Sequence, residues 1–375
     1  MSDTPSLIPT LGSDGQILAE VNGVLGIITL NRPQALNALS LAMIRDLRTL
    51  LSAWAQDPRI EAVVVLGASR EGKPPAFCAG GDIRFFHAAA KAKDKALGDF
   101  FTEEYALNYE IHNYPKPYIA LMDGIVMGGG MGISQGARLR VLTERSKLAM
   151  PEVHIGLFPD VGGGWFLAQC PGHVGEWLAL TGQVLGAGDA IAFGLGDVFV
   201  RGEELSGLIA ALRHESQSTA ERVIATVMEL ADLAPDALHL AERERIDRHF
   251  GATNLQGLLL SLQNEHSDWS ARVLAQLAKS SPLAMAISLE LIRRGRGISL
   301  AEDLRLERNL VHWCFEPAWR DEHCETIEGI RALAIDKDHR PRWLPSTPAE
   351  LDQWMIEAMF EDPWTGNVHP LAELR

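Results

Sequence analysis

Apolar and polar positions alternate between two periods along the first half of the chain. Ile17 to Val21 and Val24 to Leu30 read as a strand pair, and Ala62 to Gly67 as a buried strand. Between them, Met43, Leu47, Leu50, Leu51 and Trp54 share one face of an amphipathic helix predicted over Leu41 to Trp54, which leaves Arg45, Asp46 and Arg48 to face water. A Gly/Pro-rich loop through Gly72 to Gly81 and a mixed-charge segment lead to a helix around Phe100 to His112. Pro117 to Met122 is a further buried strand, and the run Gly128 to Gly132 opens another helix. Arg138 to Leu142 reads as a strand, and Lys147 to Met150 as a short extended piece entering Pro151.

Strands alternating with crossover helices imply an α/β layered fold. From about Glu203 the pattern turns mainly helical, with apolar residues at three and four spacing in Leu208 to Leu212 and Leu283 to Ile292. This change divides a catalytic core over 15–200 from a mainly helical C-terminal region over 201–375, which completes the fold and bears on the active site or a subunit interface. Met1 to Gln16 carries acids but no Lys or Arg, fits neither a secretory nor an organellar leader, and reads as a loose tail.

Composition narrows the function classes. With 375 residues and 47% hydrophobic content the chain can bury a large core, and no apolar stretch is long enough to span a bilayer. The formal net charge of -15 argues against a nucleic-acid partner, so any anionic ligand must meet a local basic patch. Cys78, Cys170, Cys314 and Cys324 form no CxxC pair, which points to a reducing, cytoplasmic setting. No HExxH or close Cys/His grouping is present, so no metal is expected.

Two Gly-rich segments follow strands: Ala76 to Ile83, and Gly124 to Gly132. Each can be a tight turn or close packing contact, or each can direct a backbone N–H at a carbonyl and stabilise a developing oxyanion. Neither has dinucleotide or P-loop spacing. Glu152 and Asp160 stand among apolar, Gly and Pro residues, where partial burial would raise a carboxyl pKa and suit it to proton transfer. Their other readings are a helix-cap or surface carboxylate and a turn residue. Cys78 reads as a small buried thiol, and His154 as structural.

Asn31-Arg32-Pro33 with Asn37-Ala38-Leu39, Phe77 through Ile83, Gly124 with Gly128-Gly129-Gly130, and Pro151-Glu152 with Gly156 together resemble the crotonase (enoyl-CoA hydratase/isomerase) superfamily in order and spacing. The resemblance implies repeated ββα units, a CoA thioester ligand, no separate cofactor, and a trimer-based homo-oligomer. It also implies an oxyanion hole from the backbone N–H groups of Ala79 and Gly129, with Gly80, Gly81 and Asp82 lining the substrate. Hydratases of the superfamily use two glutamates. The first falls here at Gly132, while an acid appears at Asp160, where hydratases commonly carry Gly.

Phe158 to Gly164, Glu103-Glu104-Tyr105, and the ending from Glu328-Gly329 to Trp343 resemble the superfamily's hydrolase branch, which acts on 3-hydroxyisobutyryl-CoA. That resemblance implies thioester hydrolysis in valine breakdown. Glu152 would then attack the thioester or activate water, Asp160 would assist proton transfer, and Glu104 would accept a hydrogen bond from the substrate. Arg32, Lys73, Arg84, Lys91 and Lys93 are candidates for the CoA phosphates. Hydratase or isomerase chemistry is the alternative, and a noncatalytic CoA-binding protein a third.

Overall fold

The computed structural model describes residues 8–214, 219–316, 323–364, 366 and 368–375. It resolves into two compact units, each assembled from three stretches of chain. The first comprises Met1–Gly81, Leu107–Leu148 and Leu185–Leu238, and the second Asp82–Ala106, Ala149–Val184 and His239–Arg375.

The first unit is built on a six-stranded sheet. Its strands are β1 (Ile17–Asn22), β2 (Leu25–Leu30), β3 (Ala62–Gly67), β5 (Tyr118–Met122), β7 (Leu139–Leu142) and β9 (Val198–Phe199), in the order β1-β2-β3-β5-β7-β9. β1 pairs antiparallel with β2, Ile17 opposite Leu30, and every later pairing is parallel. Strands β3 and β5 are near-continuous apolar runs, as parallel strands covered on both faces require. One core layer gathers Ile27, Val64, Ile119, Val141 and Val198 from successive strands with Leu208, Leu212, Val223 and Val227 from helices. The three-four spacing at Leu208 to Leu212 thus marks a core-facing stripe.

Helix α1 (Leu41–Gln56) is capped by the Ser40 hydroxyl and buries Met43, Ile44, Leu47, Leu50, Leu51 and Trp54. Its far end is closed by the Lys116 ammonium, which donates to the carbonyls of Trp54 and Asp57. Asp46, expected to face water, is buried instead: its carboxylate accepts from the N–H groups of Gly12 and Ser13 at 2.7 and 2.9 Å. The same contact corrects the reading of a loose tail as far as Gln16, because the chain is tied down from Gly12; residues 1–7 lie outside the described residues.

A smaller three-stranded sheet, β4-β6-β8, joins β4 (Ala76–Cys78), β6 (Ile125–Met127) and β8 (Lys147–Ala149). β4 and β6 run parallel, with Ala76 opposite Ile125 and Cys78 opposite Val126.

The second unit is mainly helical. Helix α2 (Ile83–Ala92) is followed by α3 (Ala96–His112), whose residues as far as Ala106 belong to this unit. A 3-10 turn covers Glu152–Ile155, and next come α5 (Gly163–Ala168) and α6 (Val174–Thr181). Two longer helices, Pro282–Gly295 and Leu300–Phe315, pack on α5. The packing is close: a Cβ at Gly295 would stand 2.0 Å from the Gly164 carbonyl oxygen, so only glycine admits this approach. Among the described residues no helix is long and apolar enough to cross a membrane.

Candidate active site

In the first unit, the two Gly-rich turns leave the C-terminal ends of the paired strands β4 and β6 side by side. A Cβ on Gly80, whose φ is +104°, would lie 3.3 Å from the Met127 oxygen and 3.6 Å from the Gly129 nitrogen. A Cβ on Gly130 would stand 2.2 Å from the Cys78 oxygen. The turns therefore meet backbone to backbone, which side chains at these positions would prevent.

Gly129 opens helix α4 (Gly129–Gln135), so its N–H has no acceptor within the helix. The Ala79 N–H donates to the Leu36 carbonyl at 3.0 Å. Leu36 occupies the left-handed region with φ +52°, so in this structure the Ala79 N–H is engaged within the protein. Gly81 bridges to Leu39, and Asp82 caps α2 by accepting from the N–H groups of Arg84 and Phe85. Gly132 lies buried on α4 and offers no side chain.

The second unit brings Glu104, Glu152 and Asp160 together. All three are buried. Glu152 stands at the start of the 3-10 turn after Pro151, and its Oε2 has no hydrogen-bond partner among the described residues. Burial first, then the charge of Asp160, holds its carboxyl well above the ordinary range. Glu104 projects from α3 with Oε1 likewise unpartnered among the described residues, and burial followed by the charges of Asp160 and Glu152 pushes it up strongly. Asp160 rises to about 6, through burial opposed by the hydrogen bond it accepts from Tyr105. That bond runs from the Tyr105 hydroxyl to Asp160 Oδ2 at 2.8 Å.

Glu152 and Glu104 are thus raised by burial and by their carboxylate neighbours, and each keeps one oxygen without a partner among the described residues. The sequence motif Glu103-Glu104-Tyr105 points to no role for Tyr105, and the structure makes it the hydrogen-bond partner of Asp160. His154, read as structural or supporting the site at one remove, has its Nδ1 3.0 Å from the Ser280 hydroxyl, and burial lowers its pKa. Of the basic candidates, Arg32 donates to the Ala38 carbonyl in the first unit, while Arg84 and Lys91 lie on α2 and Lys93 caps it in the second.

Residues 25–360 match the family model described as Enoyl-CoA hydratase/isomerase. The chain belongs to that family. Two curated family relatives are the mitochondrial 3-hydroxyisobutyryl-CoA hydrolases of Xenopus tropicalis and Homo sapiens. Each is 39% identical, over 92% of this chain and 89% and 88% of the relatives respectively. Among solved structures, a carnitinyl-CoA dehydratase from Mycobacterium thermoresistibile superposes with a TM-score of 0.85 at 34% identity, covering 92% of this chain and 96% of that one. An enoyl-CoA hydratase from Rhodobacter sphaeroides 2.4.1 gives 0.83 at 38%, covering 93% and 98%. The crotonase fold and the family expected from the motifs are thereby borne out.

The cytoplasmic expectation is corrected, because these curated relatives are mitochondrial proteins. The physical reason is plain. Four free, buried thiols separate a reducing from an oxidising setting and do not distinguish one reducing compartment from another.

Proposed function

We propose that this family member hydrolyses the thioester of a short 3-hydroxyacyl-CoA, with 3-hydroxyisobutyryl-CoA as substrate and valine breakdown as its setting. The observation that carries the reading is the buried trio Glu152, Asp160 and Glu104, joined to a glycine at position 132. Hydration of an alkene needs two acid-base groups, and Gly132 removes the first of them. The names of the two structural relatives place hydration beside hydrolysis, and this departure favours hydrolysis. The curated hydrolases, similar over nearly the whole chain, support the same choice.

In this reading the N–H groups of Ala79 and Gly129 stabilise the oxyanion, with Gly80 and Gly81 keeping the turn slim beside the thioester and Asp82 fixing the helix that follows. Glu152 supplies the carboxylate that attacks the carbonyl carbon or takes a proton from the attacking water. Both routes break the C–S bond, add water across it, and release an acid and a CoA thiol. Asp160, held near the middle of its titration by burial, passes a proton toward the departing sulfur. Glu104 binds the 3-hydroxyl. The same reading includes no separate cofactor and a trimer-based assembly.

Glu152→Gln tests the assignment, because it keeps the shape and removes the nucleophile or base. Free-thiol release from 3-hydroxyisobutyryl-CoA is expected to fall by about a thousandfold in kcat, within the range for loss of such a group, with KM little changed. Near wild-type kcat would reject Glu152 as the reacting carboxylate.

A further inference from the structure

The turn that carries Asp160 has no capping side chain of its own. Val161 and Gly162 both adopt positive φ, +58° and +86°, and the first is a costly conformation for a β-branched residue. Helix α5 then starts from Gly162 without any side-chain cap. Its first N–H groups are satisfied from far along the chain, by two acids one turn apart on the helix Leu300–Phe315. Glu307 Oε2 accepts from the Gly162 N–H at 2.8 Å, and its Oε1 accepts from the Gly164 N–H at 3.0 Å. Asp303 Oδ2 accepts from the Trp165 N–H at 2.9 Å.

Both acids are completely buried. Asp303 Oδ1 has no partner among the described residues, and a Cβ on Gly164 would stand 2.2 Å from it. Helix caps are ordinarily local and exposed Ser, Thr, Asp or Asn side chains. A bidentate grip by a buried glutamate costs far more desolvation than such a cap, so capping alone does not account for it.

We propose that Glu307, seconded by Asp303, is a positioning residue for the reaction, locking the strained turn so that Asp160 meets the Tyr105 hydroxyl and stands beside Glu152 and Glu104. The inference rests on the hydrolase reading for what Asp160 does, and on geometry for how it is held. Burial first, then the charges of Asp303 and Asp160, raise Glu307 well above the carboxylate range, and burial pushes Asp303 up to about 7. The titratable and charged groups that interact around this turn are Tyr105, Glu104, Glu152, Asp303 and Glu307, with Arg308 acting on Tyr105.

The test uses the full chain with Glu307→Gln, whose amide can accept only one of the two N–H bonds. Two readouts are taken: the titration of the Asp160 carboxyl by infrared difference or 13C NMR, assigned by its disappearance in Asp160→Asn, and kcat and KM for thiol release. Loss of the Tyr105 hydrogen bond, which opposes the rise, is expected to move the Asp160 midpoint upward from about 6, whereas removal of the Glu307 charge alone would move it down. Loosening the turn should also lower kcat by about ten- to a hundredfold, the scale of a displacement near 1 Å, while KM stays within about threefold.

An unchanged or lowered Asp160 midpoint together with unchanged kcat, in a variant that unfolds cooperatively, overturns the proposal. If wild type itself releases no thiol the hydrolase reading fails, and the Asp160 titration still decides the positioning role. Should Glu307→Gln not fold, Asp303→Asn carries the same two readouts, with a smaller shift expected and no shift in either overturning it.

Discussion

Asp160 ties together the chemistry and the pH behaviour of the site. Its folded pKa, about 6, lies above the ordinary 3.8, so the native state holds a proton that the unfolded chain has released. Stability from this group is therefore highest below about pH 4 and falls as pH rises through about 6. Asp160→Asn is expected to stabilise the protein at pH 8 and to do so by much less at pH 5, as measured by urea unfolding at both. The same substitution removes a charge that raises Glu152, so the ascending limb of kcat against pH should move to lower pH even as its plateau drops. A limb that stays in place would show that Glu152 does not set it. Glu104→Ala should weaken kcat/KM for a 3-hydroxyacyl-CoA by about ten- to a hundredfold more than for its deoxy analogue, the cost of leaving a buried hydroxyl unpaired. Equal losses on the two substrates would remove Glu104 from recognition of the hydroxyl.

At the scale of elements, the proposed oxyanion donors sit on two turns that touch through glycine. Gly130→Ala places a Cβ 2.2 Å from the Cys78 oxygen and must push α4 away from β4. The expected outcome is a loss of about 1–3 kcal/mol in stability from overpacking, with a fall in kcat that Gly186→Ala, at an open position, does not produce. The sequence made these elements legible wherever one period ran uninterrupted. The runs over Ala62 to Gly67 and Leu41 to Trp54 became β3 and α1 almost residue for residue, because each has a clean apolar pattern. Helix α3 begins at Ala96 rather than Phe100, since its first turn, Ala96-Leu97-Gly98-Asp99, carries a glycine that weakens the helical signal. Asp46 could not be read, because its partners are backbone N–H groups 33 and 34 residues away. Asp303 and Glu307 escaped for the same reason, although a signal was present: Glu307 falls in the buried stripe of Ala301, Leu304, Arg308 and Val311, where an acid has to be paid for.

For the whole molecule, the family motifs carry the fold and the ligand class, while the proposed reaction class rests on a single exchange of carboxylates. Glu152 remains, the position at Gly132 is empty of any acid, and Asp160 has taken a place in the cluster. Relatives named for hydrolysis, hydration and dehydration all share this architecture, so fold similarity does not choose among them. Chemistry does, because hydrolysis destroys the thioester whereas hydration leaves it intact. The most direct measurement is therefore a paired assay of the purified chain, following thiol release from 3-hydroxyisobutyryl-CoA and loss of the conjugated double bond of crotonyl-CoA. The account predicts one free thiol for each 3-hydroxyisobutyryl-CoA consumed, and little or no hydration of crotonyl-CoA. Efficient hydration of crotonyl-CoA with no thiol released from any short 3-hydroxyacyl-CoA would contradict it.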